Sequence, residues 1–307
     1  MNAAAGGAVR VGFIGVGTMG RPMAANLSRK GFAVTVYDST PGRASQVAAE
    51  LGCNAAARLA DLAGCEFVVS MLPDGKVVQQ VLTQAEDAAL LRSAPPGTIF
   101  IDMSSSEPQL TRATGALLAQ RGLVLVDAPV SGARPRAEAG TLAIMVGCGD
   151  EALLARVKPV LSAMGTQLFV LGGLGNGHAM KAINNIIAGA TMVAVAEGLT
   201  LGERFGLEPA TMVEVLNAST GRSFVTELVA KEHVVPQRFA TGFALGLLSK
   251  DVRIAADLGE EQALDLPLFR LARQRMALAT QAEGATADSS RAFVALRAAA
   301  SMPDKGK

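Results

Sequence analysis

The sequence has few histidines, and their positions argue against two common kinds of catalytic site. Only His178 and His233 occur among 307 residues, and neither stands in an HExxH motif or another paired-ligand spacing. A zinc site and a histidine-based catalytic triad are therefore poorly supported. We expect no metal, and any acid–base chemistry must use another side chain.

Cysteines are also few. Cys53, Cys65 and Cys148 are widely spaced, and no two of them form a CxxC pair. An odd number of separated cysteines indicates buried thiols in a reducing compartment. The first residues show no basic segment followed by an apolar one, which is the pattern of a secretory signal. We therefore expect a cytoplasmic protein.

The chain carries no excess of charge of either sign. Lys and Arg number 28 against 27 Asp and Glu, which leaves a formal charge of +1. This balance gives no electrostatic footprint for nucleic acid or anionic lipid, and it points to small-molecule or protein partners. The apolar stretch from Ile186 to Leu201 is shorter than a membrane span of about 20 residues and contains Glu197, so we expect a buried helix and no membrane.

The first half of the chain alternates between strand and helix patterns. Residues 9–16 (VRVGFIGV) form a β-branched apolar run, and Arg21–Lys30 follow with helical spacing until Gly31. Short apolar runs recur at Ala33–Tyr37, Phe67–Leu72, Ile99–Asp102, Val124–Asp127, Leu142–Val146 and Leu168–Leu171. Strands that alternate with helices imply βαβ units, which build a doubly wound, mainly parallel sheet of the α/β class.

The second half is helical. After GGLGNG at 172–177, a long periodic apolar stretch shows no clear strand through residue 300. The spacing predicts helices over about 178–205, 209–218, 243–258 and 266–283. We therefore expect a dinucleotide-binding domain over residues 1–172, an all-α substrate and dimerisation domain over 173–300, and a polar tail over 301–307.

A glycine motif lies between the first strand and the first helix. Gly15, Gly17 and Gly20 form G-x-G-x-x-G, which supplies a tight turn, close backbone approach to a pyrophosphate and close helix–strand packing. The amides and dipole of the helix N-terminus favour an anion there. We expect these glycines, with Thr18 and Met19 between them, to bind a dinucleotide.

Asp38 is expected to select the cofactor. It stands eighteen residues after Gly20, at the end of the second strand. A carboxylate at this position accepts hydrogen bonds from the ribose hydroxyls and repels a 2′-phosphate, which favours NAD over NADP. Arg43 follows five residues later and could instead meet a 2′-phosphate, although a solvated place in the first turn of a helix is the simpler interpretation.

Several motifs together resemble one family. FIGVGTMGRPMAANL at 13–27, DAPVSGA at 127–133 and GNGHAMKAINN at 175–185 resemble the β-hydroxyacid dehydrogenases, of the 3-hydroxyisobutyrate dehydrogenase and tartronate semialdehyde reductase type. The resemblance continues through MLPD at 71–74, IDMSS at 101–105, NASTGRS at 217–223 and LLSKD at 247–251. It implies an N-terminal Rossmann domain, a helical C-terminal domain joined by a long helix, and reversible oxidation of a 3-hydroxy acid to its semialdehyde.

The resemblance assigns the general acid and base to Lys181. Reduction of an aldehyde needs a proton donor beside the oxygen that becomes an alkoxide, and a lysine on the apolar face of a helix has its charged form destabilised. Outside this motif, a lysine that extends to water would be the simpler interpretation. Asn185 lies one helical turn later on the same face, where its amide can orient the ammonium or bind substrate. Asn184 points away by about 100°.

Ser131 and Gly132 are expected to bind the substrate carboxylate. They follow the Val124–Asp127 strand, at the carboxyl edge where open α/β sheets bind ligands, and amides at a glycine turn can hold an anion. The chain departs from the family at Ala133, where a second glycine is usual, and at Arg136, where glycine is frequent. Arg136 either faces solvent, as most arginines do, or reaches a second acidic group on a larger substrate.

The resemblance assigns four further residues to the cofactor. Leu72 and Pro73 end a strand beside the dinucleotide, and Ser105 matches a serine or threonine that contacts it. Lys250, in LLSKD, resembles a lysine of the helical domain that closes over the cofactor, although a lysine next to Asp251 would otherwise be an ordinary surface pair.

Two alternatives use the same scaffold. One is imine reduction, although relatives with that activity usually lack a lysine at the position of Lys181. A non-catalytic, cofactor-binding scaffold is the other, and a basic tail or appended domain would favour it. We also expect a homodimer or homotetramer, because Ile186–Leu201 is apolar around most of its circumference.

Overall fold

The computed structural model describes residues 8–84 and 89–301. It divides into two compact units, Met1–Lys181 and Ala182–Lys307. The predicted polar tail, apart from Ser301, lies outside the described residues, as do the residues at the start that were tested for a signal segment.

A six-stranded parallel sheet forms the centre of the first unit. Its strands are β1 (Arg10–Ile14), β2 (Ala33–Tyr37), β3 (Asn54–Ala55), β4 (Phe67–Ser70), β5 (Ile99–Asp102) and β6 (Val124–Asp127). Their order across the sheet is β3-β2-β1-β4-β5-β6, with parallel pairing throughout. From β1 the chain adds β2 and β3 on one side, and it then adds β4, β5 and β6 on the other side. This order confirms the predicted doubly wound sheet.

Apolar side chains cover both faces of this sheet. Val69 and Ile101 lie in one hydrophobic cluster, while Val68 and Phe100, their neighbours along β4 and β5, lie in the other. The helices of this part are α1 (Gly20–Arg29), α2 (Arg43–Leu51), α3 (Gly75–Gln79), α4 (Ala89–Ser93), α5 (Pro108–Ala119), α6 (Ala133–Ala139) and α7 (Glu151–Met164). Strands buried on both faces read as continuous apolar runs, as seen in the sequence.

Two of the predicted strands belong to a separate small sheet. Its members are β7 (Val130–Ser131), β8 (Leu142–Val146) and β9 (Gly165–Val170), in the order β7-β8-β9. β7 pairs antiparallel with β8, and β8 pairs parallel with β9. A single bridge between Asp127 and Gly147 connects the end of β6 to the residue after β8.

The second unit is helical, as predicted. Its helices are α8 (Asn176–Phe205), which starts in the first unit, α9 (Pro209–Asn217), α10 (Leu245–Glu261), α11 (Pro267–Glu283) and α12 (Ala292–Ala300). Residues Val225–Val234 form a segment of wider, π-type turns. The four predicted helices are present, whereas α12 and the π-type segment were not predicted. Their buried faces meet in one core that includes Ile186, Val252, Met276 and Phe293.

The helix α8 is the one described helix that is long and apolar enough to cross a membrane by length and composition. Its residues Ala182, Ile186, Met192 and Ala196 are buried in the core of the second unit. This burial is the pattern of a core helix, as the sequence predicts.

Candidate active site

The glycines of the loop after β1 have two different roles, since two of them are tightly packed and one faces open space. A Cβ on Gly20 would overlap the carbonyl oxygen of Gly15, and a Cβ on Gly15, whose φ is +90°, would overlap that of Met71. A Cβ on Gly17 would meet nothing within 4 Å. Gly15 and Gly20 are therefore required by the fold, while Gly17 leaves open space at the surface of the loop.

Backbone donors line that open space. Within the described residues, the amides of Gly17, Thr18 and Met19 donate no hydrogen bond, and the cap residue of α1 provides no side-chain acceptor. Gly17 and Thr18 are exposed. Unpaired amides at a helix N-terminus, with room for close approach, fit the pyrophosphate of a dinucleotide.

Asp38 follows β2 and connects the glycine loop to the start of α2. Its carboxylate accepts the Val16 amide at 3.0 Å, the Thr40 amide at 2.8 Å and the Arg43 guanidinium at 3.3 Å. The Asp38 side chain is 6% exposed and that of Arg43 is 44% exposed. A carboxylate has about four lone-pair positions, so one acceptor direction is left for a ribose hydroxyl. Arg43, the first residue of α2, lies beside that position.

The predicted cofactor residues lie at the carboxyl ends of adjacent strands. Leu72 and Pro73 follow β4, and Ser105 follows β5, which is the next strand in the sheet. The Leu72 amide donates to Ser104 Oγ at 2.9 Å, which joins the two loops. Ligands bind at this edge in open α/β sheets, at the point where the strand order reverses. Here the reversal lies between β1 and β4.

Ser131 and Gly132 lie where β7 leads into α6. β7 pairs Ser131 with Ala143 of β8, which fixes the strand, and Gly132 has φ +135°. Ala133 has φ +53°, a left-handed conformation that glycine adopts freely and alanine adopts at a cost of about 1–2 kcal/mol. The structure thus explains why a glycine is usual at this position.

Arg136 lies against this turn. A Cβ built on Gly132 would lie 2.6 Å from Arg136 Cδ and 2.7 Å from its Cβ, so the side-chain stem covers Gly132. Among the described residues, the Arg136 guanidinium has no hydrogen-bond or ion-pair partner, whereas Arg134 pairs with Glu138 at 2.7 Å. Arg136 is exposed, so an unpaired cation stands next to the predicted carboxylate site.

Lys181 lies in the second turn of α8 and is half-buried. The first turn of that helix is attached to the end of β6. The buried Asp127 carboxylate accepts the amide of Gly175 at 2.8 Å and that of His178 at 2.8 Å. The Lys181 segment is thus anchored to the strand that leads into Ser131 and Gly132. Sequence reasoning missed the anchoring role of Asp127, because the two partners lie 48 and 51 residues away.

Asn185 and Lys250 meet the same acidic residue in the second unit. Asn185 Nδ2 donates to Asp251 Oδ2 at 2.6 Å, and Lys250 Nζ lies 3.3 Å from Asp251 Oδ1. Asn184 donates to Asn185 Oδ1 at 3.0 Å. The Asp251 side chain is 2% exposed and that of Lys250 is 15% exposed, so this is a buried pair and the surface-pair interpretation is wrong. The sequence signal for Asp251 was its place in LLSKD.

The cysteines lie outside this site. All three are free, with Cys65 and Cys148 buried and Cys53 half-buried. Burial raises the pKa of each of the three thiols, so thiolate chemistry is disfavoured. Within residues 8–84 and 89–301, no group of three or more His, Cys, Asp or Glu side chains could hold a metal ion.

Comparisons with known proteins cover nearly the whole chain. Residues 10–172 match the model of the NAD binding domain of 6-phosphogluconate dehydrogenase. Residues 175–296 match that of the NAD-binding domain of NADP-dependent 3-hydroxyisobutyrate dehydrogenase. Together the two models confirm that NAD is the type of cofactor for which this chain is built.

Individual relatives agree. The chain is 37% identical over 268 residues to 2-(hydroxymethyl)glutarate dehydrogenase of Eubacterium barkeri, covering 87% of each chain. It is 37% identical to 3-hydroxyisobutyrate dehydrogenase of Pseudomonas aeruginosa, covering 89% of this chain and 93% of the relative. The solved structure of Mycobacterium tuberculosis 3-hydroxyisobutyrate dehydrogenase with L-serine matches with a TM-score of 0.86 and 33% identity, covering 94% of this chain and 99% of that one.

The resemblance read from the sequence motifs is therefore confirmed by matches that cover 87–94% of the chain and by the fold. The family models and the relatives show that the protein is an NAD-binding oxidoreductase. The chain belongs to the β-hydroxyacid dehydrogenase family.

Proposed function

We propose that this protein interconverts a small 3-hydroxy acid and its semialdehyde, with Lys181 as the general acid and base. The two relatives above are named for hydroxy acids that carry a CH₂OH group on the carbon next to a carboxylate. A substrate of this kind needs an anion site for the carboxylate and an acid–base group at the alcohol oxygen. Ser131 and Gly132 supply the first, and Lys181 supplies the second.

The position of Lys181 carries the proposal. This half-buried ammonium lies in α8, whose first turn is bound by the Asp127 carboxylate at the end of β6. Ser131 lies four residues after Asp127, in the segment that follows the same strand. This shared attachment to one strand end supports Lys181 as the proton donor for a substrate whose carboxylate binds at Ser131 and Gly132.

The chemistry divides between cofactor and protein. Bound NADH supplies the hydride for reduction of the semialdehyde, and NAD accepts it in the reverse direction. The protein binds the carboxylate at Ser131 and Gly132, and Lys181 donates a proton to the oxygen as negative charge develops on it. In the oxidative direction the neutral amine of Lys181 accepts the proton of the alcohol. Asn185, the further residue proposed for substrate binding, is held by its hydrogen bond to Asp251.

The test is replacement of Lys181 by methionine, which keeps much of the apolar stem and removes the donor. General acid catalysis is typically worth 10²–10⁴-fold, so kcat for reduction of the best semialdehyde should fall by about that factor while NADH binding is retained. Lys181→Arg should not restore activity, because a guanidinium keeps its proton. A folded methionine variant that binds NADH and keeps more than about a tenth of the wild-type kcat would contradict the role.

The substrate is found by measuring NADH oxidation with a panel of semialdehydes. Methylmalonate, tartronate and succinic semialdehydes and sulfolactaldehyde differ in the substituents around the carbonyl. Imine reduction is the alternative on this fold, and cyclic imines in the same panel test it. Turnover of an imine that survives Lys181→Met, with no turnover of any semialdehyde, would favour that alternative.

We also propose a homo-oligomer in the cytoplasm. Along α8 the apolar side chains of Ile187, Leu201 and Phe205 are 55%, 73% and 86% exposed. An apolar stripe of this kind is covered in a second copy of the chain when two-fold symmetry places equivalent helices together. The three free thiols support a reducing compartment.

A further inference from the structure

The Asp127 carboxylate replaces a local cap at the start of α8. It is fully buried, and its two oxygens each accept one backbone amide at 2.8 Å, from Gly175 and His178. The first turn of any helix has amides without partners inside the helix, and a negative charge near that end is favourable. The start of α8 is therefore held by a side chain from another element of the fold.

Two glycines make this contact possible. A Cβ on Gly177 would overlap the carbonyl oxygen of Met145 and lie 2.8 Å from Asp127 Oδ2. A Cβ on Gly147 would overlap Asp127 Oδ1. The glycines thus let the helix, β8 and the carboxylate approach one another, and no larger residue fits at either position without a shift.

The His178 ring makes the second attachment. It is fully buried, with Nε2 3.1 Å from the Ser104 carbonyl oxygen and Nδ1 2.8 Å from Thr111 Oγ1. A carbonyl oxygen only accepts hydrogen bonds, so Nε2 carries a proton and donates it. The ring therefore joins α8 to α5 and to the loop after β5.

That loop is the one that carries the predicted cofactor contacts. Ser104 Oγ accepts the Leu72 amide, and Ser105 is the next residue. Asp102, at the end of β5, holds the loop through Ser106 Oγ at 3.0 Å and the Ser104 amide at 3.1 Å, and its Oδ2 lies 3.6 Å from His178 Nε2. The His178 ring is thus in contact with the backbone that presents the cofactor side of the site.

We propose that Asp127 and His178 are positioning residues that set the place of Lys181 relative to the bound cofactor. This inference rests on the proposed function. Lys181 lies three residues after His178, about 4.5 Å along the helix axis, so a shift of the first turn is passed directly to the lysine. A displacement of about 1 Å at a reacting group can lower the rate about 10²-fold.

The arrangement does more than satisfy the first turn of α8. Two carboxylates, Asp102 and Asp127, are buried around one imidazole, at 3.6 and 3.7 Å from its nitrogens. Burial of two carboxylates beside one ring carries a desolvation cost, which their hydrogen bonds to backbone amides and hydroxyl groups offset. Their value here is geometric, because each partner fixes a different strand end against α8.

The experiment compares Asp127→Asn and Thr111→Val with a matched core variant. Asparagine keeps the shape of Asp127 but presents an amide group to one of the two backbone donors, while Thr111→Val removes only one partner of the His178 ring. Val160→Ala, in the core of the same unit and outside the site, lowers stability by removing buried volume. For each variant we would measure kcat per NADH-binding site, the Kd for NADH, the melting temperature and the isotope effect with 4-deuterated NADH.

We expect kcat per binding site to fall about 10–100-fold in Asp127→Asn and about 3–10-fold in Thr111→Val, with the Kd for NADH changed less than about threefold. The isotope effect should rise, because the chemical step becomes slower. Val160→Ala should lower the melting temperature and leave kcat per site and the isotope effect unchanged.

Two results separate this inference from the proposed function. If the wild type reduces a semialdehyde and Lys181→Met does not, the proposed function holds. In that case, the positioning role would be overturned if Thr111→Val and any folded Asp127→Asn protein had the same kcat and the same isotope effect as the wild type. If Asp127→Asn does not fold, Thr111→Val alone decides the outcome.

Discussion

The glycines of the loop after β1 permit a test in which folding and cofactor binding respond to different substitutions. A methyl group on Gly17 would enter open space, and the surrounding atoms lie beyond 4 Å. A methyl group on Gly20 would overlap the carbonyl oxygen of Gly15 and lie 3.0 Å from the Phe13 ring. Gly17→Ala should therefore leave the fold intact and obstruct the pyrophosphate, whereas Gly20→Ala should destabilise the first unit itself.

The magnitudes follow from these contacts. Overpacking in a rigid region typically costs about 1–3 kcal/mol, and overlap with backbone belongs at the upper end. For a unit of this size about 1 kcal/mol shifts the melting temperature by about 2–4 °C, so Gly20→Ala should melt about 6–12 °C below the wild type. Gly17→Ala should melt within about 2 °C of the wild type. Loss of close approach to the pyrophosphate should weaken NADH binding at least tenfold, which corresponds to about 1.4 kcal/mol.

The assay is a fluorescence titration of NADH with thermal melts of the apoprotein, for wild type and both variants. Gly173→Ala is the control for alanine at a glycine outside the loop, because nothing lies within 4 Å of its Cβ and its φ is not positive. NADH affinity in Gly17→Ala equal to that of wild type would refute the assignment of Gly17 to ligand approach. A melting temperature of Gly20→Ala equal to that of wild type would refute the packing argument.

Three further predictions concern the cofactor, the substrate and the assembly. Asp38→Asn should lower the ratio of kcat/KM for NADH to that for NADPH about 10–100-fold, because the ribose loses a charged acceptor and a 2′-phosphate loses a repelling charge; an unchanged ratio would show that Asp38 does not select the cofactor. Arg136→Ala should lower kcat/KM about 3–30-fold for substrates with a second carboxylate and spare monocarboxylates, while Arg134→Ala, which breaks only the pair with Glu138, should affect both equally. Light scattering should give at least twice the 31.4 kDa of one chain, and Leu201→Glu should reduce that mass; a wild-type mass of one chain would contradict the oligomer.

The strands were predictable where they form short apolar runs, as in β5, which is buried on both faces, and in β2, whose residues alternate between half-buried and buried. β2, β5, β6 and β8 have the bounds that the sequence pattern predicts. β3 is two exposed residues, Asn54 and Ala55, with no apolar signal. Pattern alone also cannot assign a strand to a sheet, so the separate sheet of β7, β8 and β9 was not foreseen.

Two of the helical segments that were not predicted were missed for different physical reasons. Val225–Val234 has π-type turns, in which the hydrogen bonds span five residues. Its side chains do not recur with a period of 3.6, so the helical pattern is weak. α12 has the sequence AFVALRAAA, which is apolar almost throughout and has little contrast between its faces. A periodic pattern can be recognised only when the two faces of a helix differ in polarity, and the faces of α12 differ little.

The site residues at strand ends were predictable because a general rule places ligands at that edge of a parallel sheet. The residues that hold them were not. Asp251 lies 66 residues from Asn185 along the chain, and nothing local distinguishes a buried Lys250–Asp251 pair from an exposed one. Burial is a property of the tertiary fold, so supporting contacts of this kind become visible only in the structure.

The departures from the family at Ala133 and Arg136 act on the site in different ways. Ala133 adopts φ +53°, which a glycine would adopt without strain. The backbone there is constrained on both sides, by the pairing of Ser131 with Ala143 and by the first turn of α6. A conformational cost of about 1–2 kcal/mol is small enough for these constraints to overcome. Ala133 therefore adopts a backbone conformation that is open to glycine, and the chemical change at this site comes from Arg136, whose stem covers Gly132 and whose charge lies next to the predicted carboxylate position.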